Sequence, residues 1–131
     1  MKILGIGVDI VDNKRLKNSI KNKSFISRLF TLLEIKNSKL VKDKSIYFSK
    51  KFAAKESFSK ALGTGLRKGV FYRDMEIINL PSGKPTLRLY GGALSRLNEL
   101  CAGDFSPIIE LSITDDKKLA LAIVIIYGNK I

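Results

Sequence analysis

The sequence predicts an α+β fold, a compact single domain in which a largely antiparallel sheet packs with helices. Three observations predict it. Strand-like runs near the two ends of the chain, ILGIGVDIV and LALAIVIIY, enclose segments with helical spacing. Turn residues, Leu80-Pro81-Ser82-Gly83 and Asp115-Asp116-Lys117-Lys118, separate neighbouring strand-like runs in the second half. A length of 131 residues suits one domain over residues 1–131, large enough to bury about two-thirds of its unfolded surface without disulfide or metal staples.

Residues 3–11 read as a strand with Leu4, Ile6, Val8 and Ile10 on one face and Gly5, Gly7 and Asp9 on the other, beside Ile3 and Val11. Asp12 then caps a basic helix over residues 13–22, with Leu16 and Ile20 as its inner stripe. Thr31 and Glu34 have capping-box spacing, and Phe30 and Ile35 stand where a hydrophobic staple would, so a helix starts here and runs through Leu40 and Val41. The strongest helix lies in SIYFSKKFAAKESFSKALGTG: Ala54, Phe58, Ala61 and Leu62 form its apolar stripe and Gly63 ends it. MEIINL and PTLRLY read as strands joined by the turn at residues 80–83. Ala93, Leu97, Leu100 and Cys101 share a helix face that ends at Gly103, and IIELSIT and LALAIVIIY close the chain as strands. The last strand is apolar on both faces, which predicts cover from its own helices or from another subunit.

Composition narrows the chemistry. A single cysteine, Cys101, allows no internal disulfide and suits a reducing cytoplasm. The N-terminal apolar run is interrupted by Asp9 and lacks a small-residue cleavage site, so it reads as a strand rather than a signal peptide, and the expected location is cytoplasmic. Net charge is +12, and residues 14–68 hold all of the excess: 16 Lys/Arg against Glu34, Asp43 and Glu56, a net of +13. Such a segment attracts an acidic partner, whether nucleic acid, anionic membrane, phosphorylated small molecule or acidic protein, unless it is simply a solvated face. With no histidine and one cysteine, a Ser-His-Asp triad, a thiol-histidine pair and a zinc site of the usual ligands are excluded. Carboxylates, lysines and hydroxyls remain, an inventory for phosphate chemistry with a hard metal.

Glu56 lies opposite the apolar stripe of the long helix, with Lys60 one turn above it. An ordinary exposed i,i+4 ion pair accounts for that spacing; a metal ligand beside a phosphate contact accounts for it too. The loop Gly63-Thr64-Gly65 follows at once, and its backbone amides can meet a phosphate. A helix C-cap would explain Gly63 but leaves Gly65 without a duty. Asp9 is the second candidate metal ligand: Gly5 and Gly7 share its face, which therefore admits another backbone or a ligand, while Asp12 serves the capping role. One Asp and one Glu, with substrate phosphate oxygens and waters, suit magnesium. Lys84 and Pro85 in Ser82-Gly83-Lys84-Pro85 can present a cation from a tight turn, though the turn alone explains them. Lys14, Arg15, Lys17 and Lys21 on the first helix are either a solvated face or a docking surface for an acidic helix.

GIGVDIVDNKRL, FTLLE, KFAAKESFSKALGTGL, GKP and LSITDDKKLALAIVI occur in an order that resembles the bacterial holo-acyl-carrier-protein synthases, phosphopantetheinyl transferases, over nearly the whole chain. The resemblance implies magnesium held by Asp9 and Glu56, Lys60 at the pyrophosphate of coenzyme A, a homotrimer with active sites at subunit junctions, and docking of acyl carrier protein on the first basic helix. It implies transfer of phosphopantetheine to a carrier-protein serine in support of fatty acid biosynthesis, with adenosine 3′,5′-bisphosphate leaving; the base stays open between Glu56 and a magnesium-bound hydroxide. Two positions depart from the family pattern. Thr114-Asp115 stands where many members have Ser-His, and Lys51 stands where arginine is frequent, which keeps the charge and loses the bidentate fork. Two other readings remain: a catalytically idle relative that binds a carrier protein, and a basic nucleic-acid-binding module without catalysis. The latter accounts for the charged segment but leaves Asp9, Glu56 and the GTG loop unexplained, and the segment lacks the interleaved surface aromatics of a stacking platform. The expected partners are therefore carrier protein and coenzyme A, with neither nucleic acid nor membrane.

Overall fold

A computed structural model describes residues 1–131. The elements run β1 (Lys2–Asp12), α1 (Asn13–Ser19), α2 (Lys23–Leu29), α3 (Leu32–Ser38), α4 (Lys44–Ala61), a 3-10 turn (Tyr72–Asp74), β2 (Met75–Asn79), β3 (Pro85–Leu89), α5 (Gly91–Leu100), β4 (Phe105–Asp115) and β5 (Leu119–Lys130). Every strand pair is antiparallel, in a three-stranded sheet ordered β1-β5-β4 and a separate β2-β3 hairpin. The α+β class expected from the sequence is the class observed.

The long helix organises the rest. Asp43 Oδ1 accepts from the Ile46 amide and opens α4; Gly63, at φ +81°, ends it. Ala54, Phe58, Ala61 and Leu62, the predicted stripe, are buried together with Ala122, Val124 and Ile126 of β5. Burying Phe58 alone is worth about 2–3 kcal/mol. The helix comes so close to β1 because Gly5 and Gly7 have no side chain: an added Cβ would stand 1.9 Å from the Ala61 carbonyl oxygen at Gly5, and 1.8 Å from that of Ser57 at Gly7. The occupant that the sequence allowed on this bare face is therefore the α4 backbone. Ser57 Oγ also donates to the Ala122 carbonyl at 2.9 Å, tying α4 to β5.

Three local expectations need correction. The strand register skips Leu4 between Ile3 and Gly5, a bulge that turns Leu4 onto the core and leaves Ile3 exposed, reversing their predicted faces. The basic helix ends at Ser19 rather than residue 22, because Asn22 accepts from the Ser24 and Phe25 amides and opens α2, a seven-residue helix that the sequence did not announce. The third helix stops at Ser38, short of Leu40 and Val41. Its start is as predicted: Thr31 and Glu34 form the reciprocal capping box. Finally, the chain covers only one face of its sheet. Ile6, Val8 and Ile10 are 63%, 52% and 58% exposed, so no helix of this chain lies over them.

Three charged groups, Lys55, Glu34 and Glu76, are inside, the lysine unexpectedly. Lys55 is fully buried on α4, where Nζ donates to Glu34 Oε1 at 2.6 Å and to the Leu29 carbonyl at 2.7 Å. Burial pushes this ammonium below the ordinary lysine range, against the pull of the Glu34 carboxylate. Glu34 also accepts from the Thr31 and Ile77 amides, so it joins α3, α4 and β2.

Candidate active site

Two glycine contacts set the site. Moving from Gly5 to Gly7 advances β1 by two residues, about 6.6 Å, and moving from Ala61 to Ser57 retreats along α4 by four residues, about 6.0 Å. Strand and helix therefore stay in step, and the next residue on the same strand face, Asp9, arrives one turn further back along α4, beside the turn that carries Glu56. Asp9 and Glu56 line one pocket of about 250 Å³ with Ile10, Val11, Asp12, Arg15 and Phe52. The two acidic groups, 47 positions apart in sequence, thus face the same pocket.

Lys60 joins them in an unexpected way. Its Nζ donates to Asp9 Oδ1 at 3.1 Å and to the Val8 carbonyl at 3.0 Å, so it reaches across to the strand and makes no ion pair with Glu56. Glu56 is held by a residue the sequence did not single out: Tyr72 donates its hydroxyl proton to Glu56 Oε1. Burial first, then the bond to Glu56 and the negative charges around it, push the Tyr72 phenol above the ordinary tyrosine range, which keeps it a donor at neutral pH.

The donor chemistry fits magnesium. Two carboxylates are hard oxygen ligands, and although Asp12 also lines the pocket, no three acidic, His or Cys side chains are grouped closely enough to form an all-protein cage; Mg²⁺ commonly takes one or two carboxylates and fills its shell with phosphate oxygens and water. Asp12 is occupied as the predicted cap of α1, accepting from the Lys14 amide at 2.9 Å.

The other predicted residues distribute as follows. The Gly63 amide donates to the Lys60 carbonyl and the Gly65 amide to the Ser59 carbonyl, each at 3.0 Å, and both glycines have positive φ. The C-cap therefore explains Gly65 as well as Gly63, and of the three loop amides only that of Thr64 donates to no backbone carbonyl. Pro85 does not line the Asp9–Glu56 pocket. It lies with Gly83, Lys50 and Lys51 around a second pocket of about 380 Å³, and Lys84 pairs with Glu110 at 2.8 Å. Burial lowers the Lys51 ammonium below the usual lysine range. Asp115, which carried no predicted role, pairs with Lys50 at 3.6 Å. Lys14, Arg15, Lys17 and Lys21 are exposed and unpaired on and just beyond α1, and Arg15 also reaches the Asp9–Glu56 pocket. That double position follows from Asp12, which caps α1 directly after the strand that carries Asp9.

Residues 5–123 match the family model described as the 4'-phosphopantetheinyl transferase superfamily. The chain is 49% identical over 126 residues to a holo-acyl-carrier-protein synthase of Rhizobium meliloti, covering 95% of this chain and 91% of that one. Among solved structures, it is similar to the holo-acyl-carrier-protein synthase of Neisseria meningitidis, with a TM-score of 0.82 and 37% identity over 98% of this chain and 99% of that one. It is also similar to the Helicobacter pylori holo-acyl-carrier-protein synthase solved in complex with coenzyme A, with a TM-score of 0.78 and 29% identity over 93% and 99%.

Proposed function

The chain belongs to the 4'-phosphopantetheinyl transferase superfamily and within it to the holo-acyl-carrier-protein synthases, and we propose that it moves the 4'-phosphopantetheine arm of coenzyme A onto a serine of apo acyl carrier protein, with Mg²⁺, in the cytoplasm and in support of fatty acid biosynthesis. The observation that carries this reading is that Asp9 and Glu56 line one pocket, with Lys60 bonded to Asp9 and the exposed cations of α1 alongside.

Asp9 and Glu56 would hold Mg²⁺, which when bound draws charge from the diphosphate and fixes its orientation. Lys60, whose side chain is about half exposed, can turn from Asp9 to a phosphate oxygen, and the Thr64 amide is open to another. The serine oxygen forms a bond to the phosphorus that bears the pantetheine arm, the diphosphate P–O bond breaks, and adenosine 3',5'-bisphosphate leaves with the electron pair. The serine proton passes to a base at the pocket, for which Glu56 is one of two candidates. Catalysis on this account is alignment and charge stabilisation.

The homotrimer is proposed from the family resemblance, and the exposed Ile6, Val8 and Ile10 face is compatible with it, since a neighbouring subunit would cover what this chain leaves open. Lys84 and Pro85, which lie away from the Asp9–Glu56 pocket, would contact coenzyme A only across such a junction. Lys14, Arg15, Lys17 and Lys21 would receive the acidic carrier protein. Mass spectrometry of apo carrier protein after incubation with the chain, coenzyme A and Mg²⁺ tests the activity: addition of one phosphopantetheine supports it, and an unmodified carrier protein under saturating conditions rejects it. Light scattering tests the trimer.

A further inference from the structure

We infer that Tyr72 is a positioning residue for Glu56, a neutral clamp that keeps this carboxylate turned away from Lys60 and available to a divalent cation. The inference rests on the transferase reading above, and its starting point is a contact that is missing. Glu56 and Lys60 stand at i,i+4 on α4 with the acid N-terminal, the favourable arrangement for a helical ion pair. No such pair forms: Lys60 goes to Asp9 and the Val8 carbonyl, while Glu56 Oε1 accepts from Tyr72. Glu56 Oε2 has no partner within the chain and is not a buried orphan, so it is the oxygen left for a ligand.

Tyr72 is suited to this work because its own position is fixed from outside α4. It opens the 3-10 turn Tyr72–Asp74, which Asp74 closes by accepting from the Phe71 amide. Its ring stacks on Phe52 with centroids 5.7 Å apart and planes at 29°. Phe52 and Glu56 are themselves one helical turn apart on α4, so one tyrosine grips both, the first by its ring and the second by its hydroxyl. Phe52 and Glu56 both line the Asp9 pocket. The choice of donor matters. A lysine on Glu56 would orient the carboxylate and cancel its charge, whereas a phenol orients it and leaves the charge for the cation.

The test uses the full chain with coenzyme A and Mn²⁺ as the probe, reading free Mn²⁺ by electron paramagnetic resonance. Tyr72→Phe keeps the ring on Phe52 and deletes the hydroxyl, so the fold and its melting temperature should hold to about 2 °C. Its affinity for Mn²⁺ in the presence of coenzyme A should fall about tenfold, as expected for loss of a group that orients a metal ligand. In the transfer assay the concentration of Mg²⁺ for half-maximal rate should rise by the same factor, with a smaller change in kcat at saturating Mg²⁺. Glu56→Gln, measured alongside, gives the scale for losing the ligand itself. A Tyr72→Phe affinity less than about threefold weaker than wild type, or any tightening, overturns the inference. Wild-type protein that neither binds Mn²⁺ with coenzyme A nor transfers the arm overturns the functional reading, and this inference with it.

Discussion

Gly7 is the tightest point between the strand that carries Asp9 and the helix that carries Glu56 and Lys60, which makes Gly7→Ala a demanding perturbation. The new methyl group would stand 1.8 Å from the Ser57 carbonyl oxygen and 2.9 Å from the Ala61 amide nitrogen. Real Cβ contacts stay beyond 3.0 Å, so strand and helix must part by about 1.2 Å here, the difference between 3.0 and 1.8. Both contact atoms are backbone, and no side chain can rotate away. Overpacking of this kind costs about 3 kcal/mol, which for a domain of this size lowers the melting temperature by about 10 °C. The functional effect should be larger than the thermal one. Asp9 lies two residues along the strand, Glu56 and Lys60 flank Ser57, and displacing reacting groups by about 1 Å costs on the order of 100-fold in rate. Thermal melting by circular dichroism and the carrier-protein mass assay at 25 °C, where the variant remains folded, read the two effects separately. A Gly7→Ala protein that melts within about 2 °C of wild type and transfers at an unchanged rate would refute the close strand–helix contact as the basis of the site.

Further perturbations test other parts. Lys55→Met leaves the Glu34 carboxylate buried without its cation and should cost about 3–5 kcal/mol in urea unfolding; a loss below about 1 kcal/mol would show that the pair adds little to holding α3 and β2 on α4. Asp43 has its carboxyl held below the ordinary range by the Ser45 hydroxyl and the Ile46 amide. The folded carboxylate is the weaker base, so its stabilisation is present above the unfolded pKa of about 3.9 and lost as pH falls through the lower folded value. Asp43→Ala should therefore melt a few degrees below wild type at pH 7, and the difference should close as acid protonates the wild-type group; a difference that persists to pH 2 contradicts the assignment. Lys17→Glu on α1 should raise KM for the carrier protein about tenfold and flatten its salt dependence while sparing kcat; an unchanged KM removes α1 from the docking surface.

The parts of the fold that announce themselves in the sequence are those fixed by local chemistry. The Thr31–Glu34 capping box, the Asp12 cap and the Ala54–Phe58–Ala61–Leu62 stripe are decided within a few residues and appear as expected. Gly5 and Gly7 signalled a close approach without revealing what approached. The features that stayed hidden are decided across the chain. Lys55 reads as a surface lysine until Glu34 and the Leu29 carbonyl, 21 and 26 positions away, surround it. The Leu4 bulge depends on pairing with β5. Tyr72 sits in a stretch with no helical or strand period, so its bond to Glu56 appears only once the 3-10 turn is packed on α4. The signal available in advance was indirect: an aromatic with a hydroxyl in a segment whose neighbours, Val70 and Phe71, need no polar partner.

The central claim is that Asp9 and Glu56 hold one divalent cation against the coenzyme A diphosphate, and anomalous scattering from a crystal soaked with Mn²⁺ and coenzyme A tests it most directly. The account predicts a single manganese peak bonded to a carboxylate oxygen of each residue at about 2.1 Å, with diphosphate oxygens completing its shell. A peak bound to only one of the two, or a diphosphate bound elsewhere on the protein with this pocket empty, would contradict it.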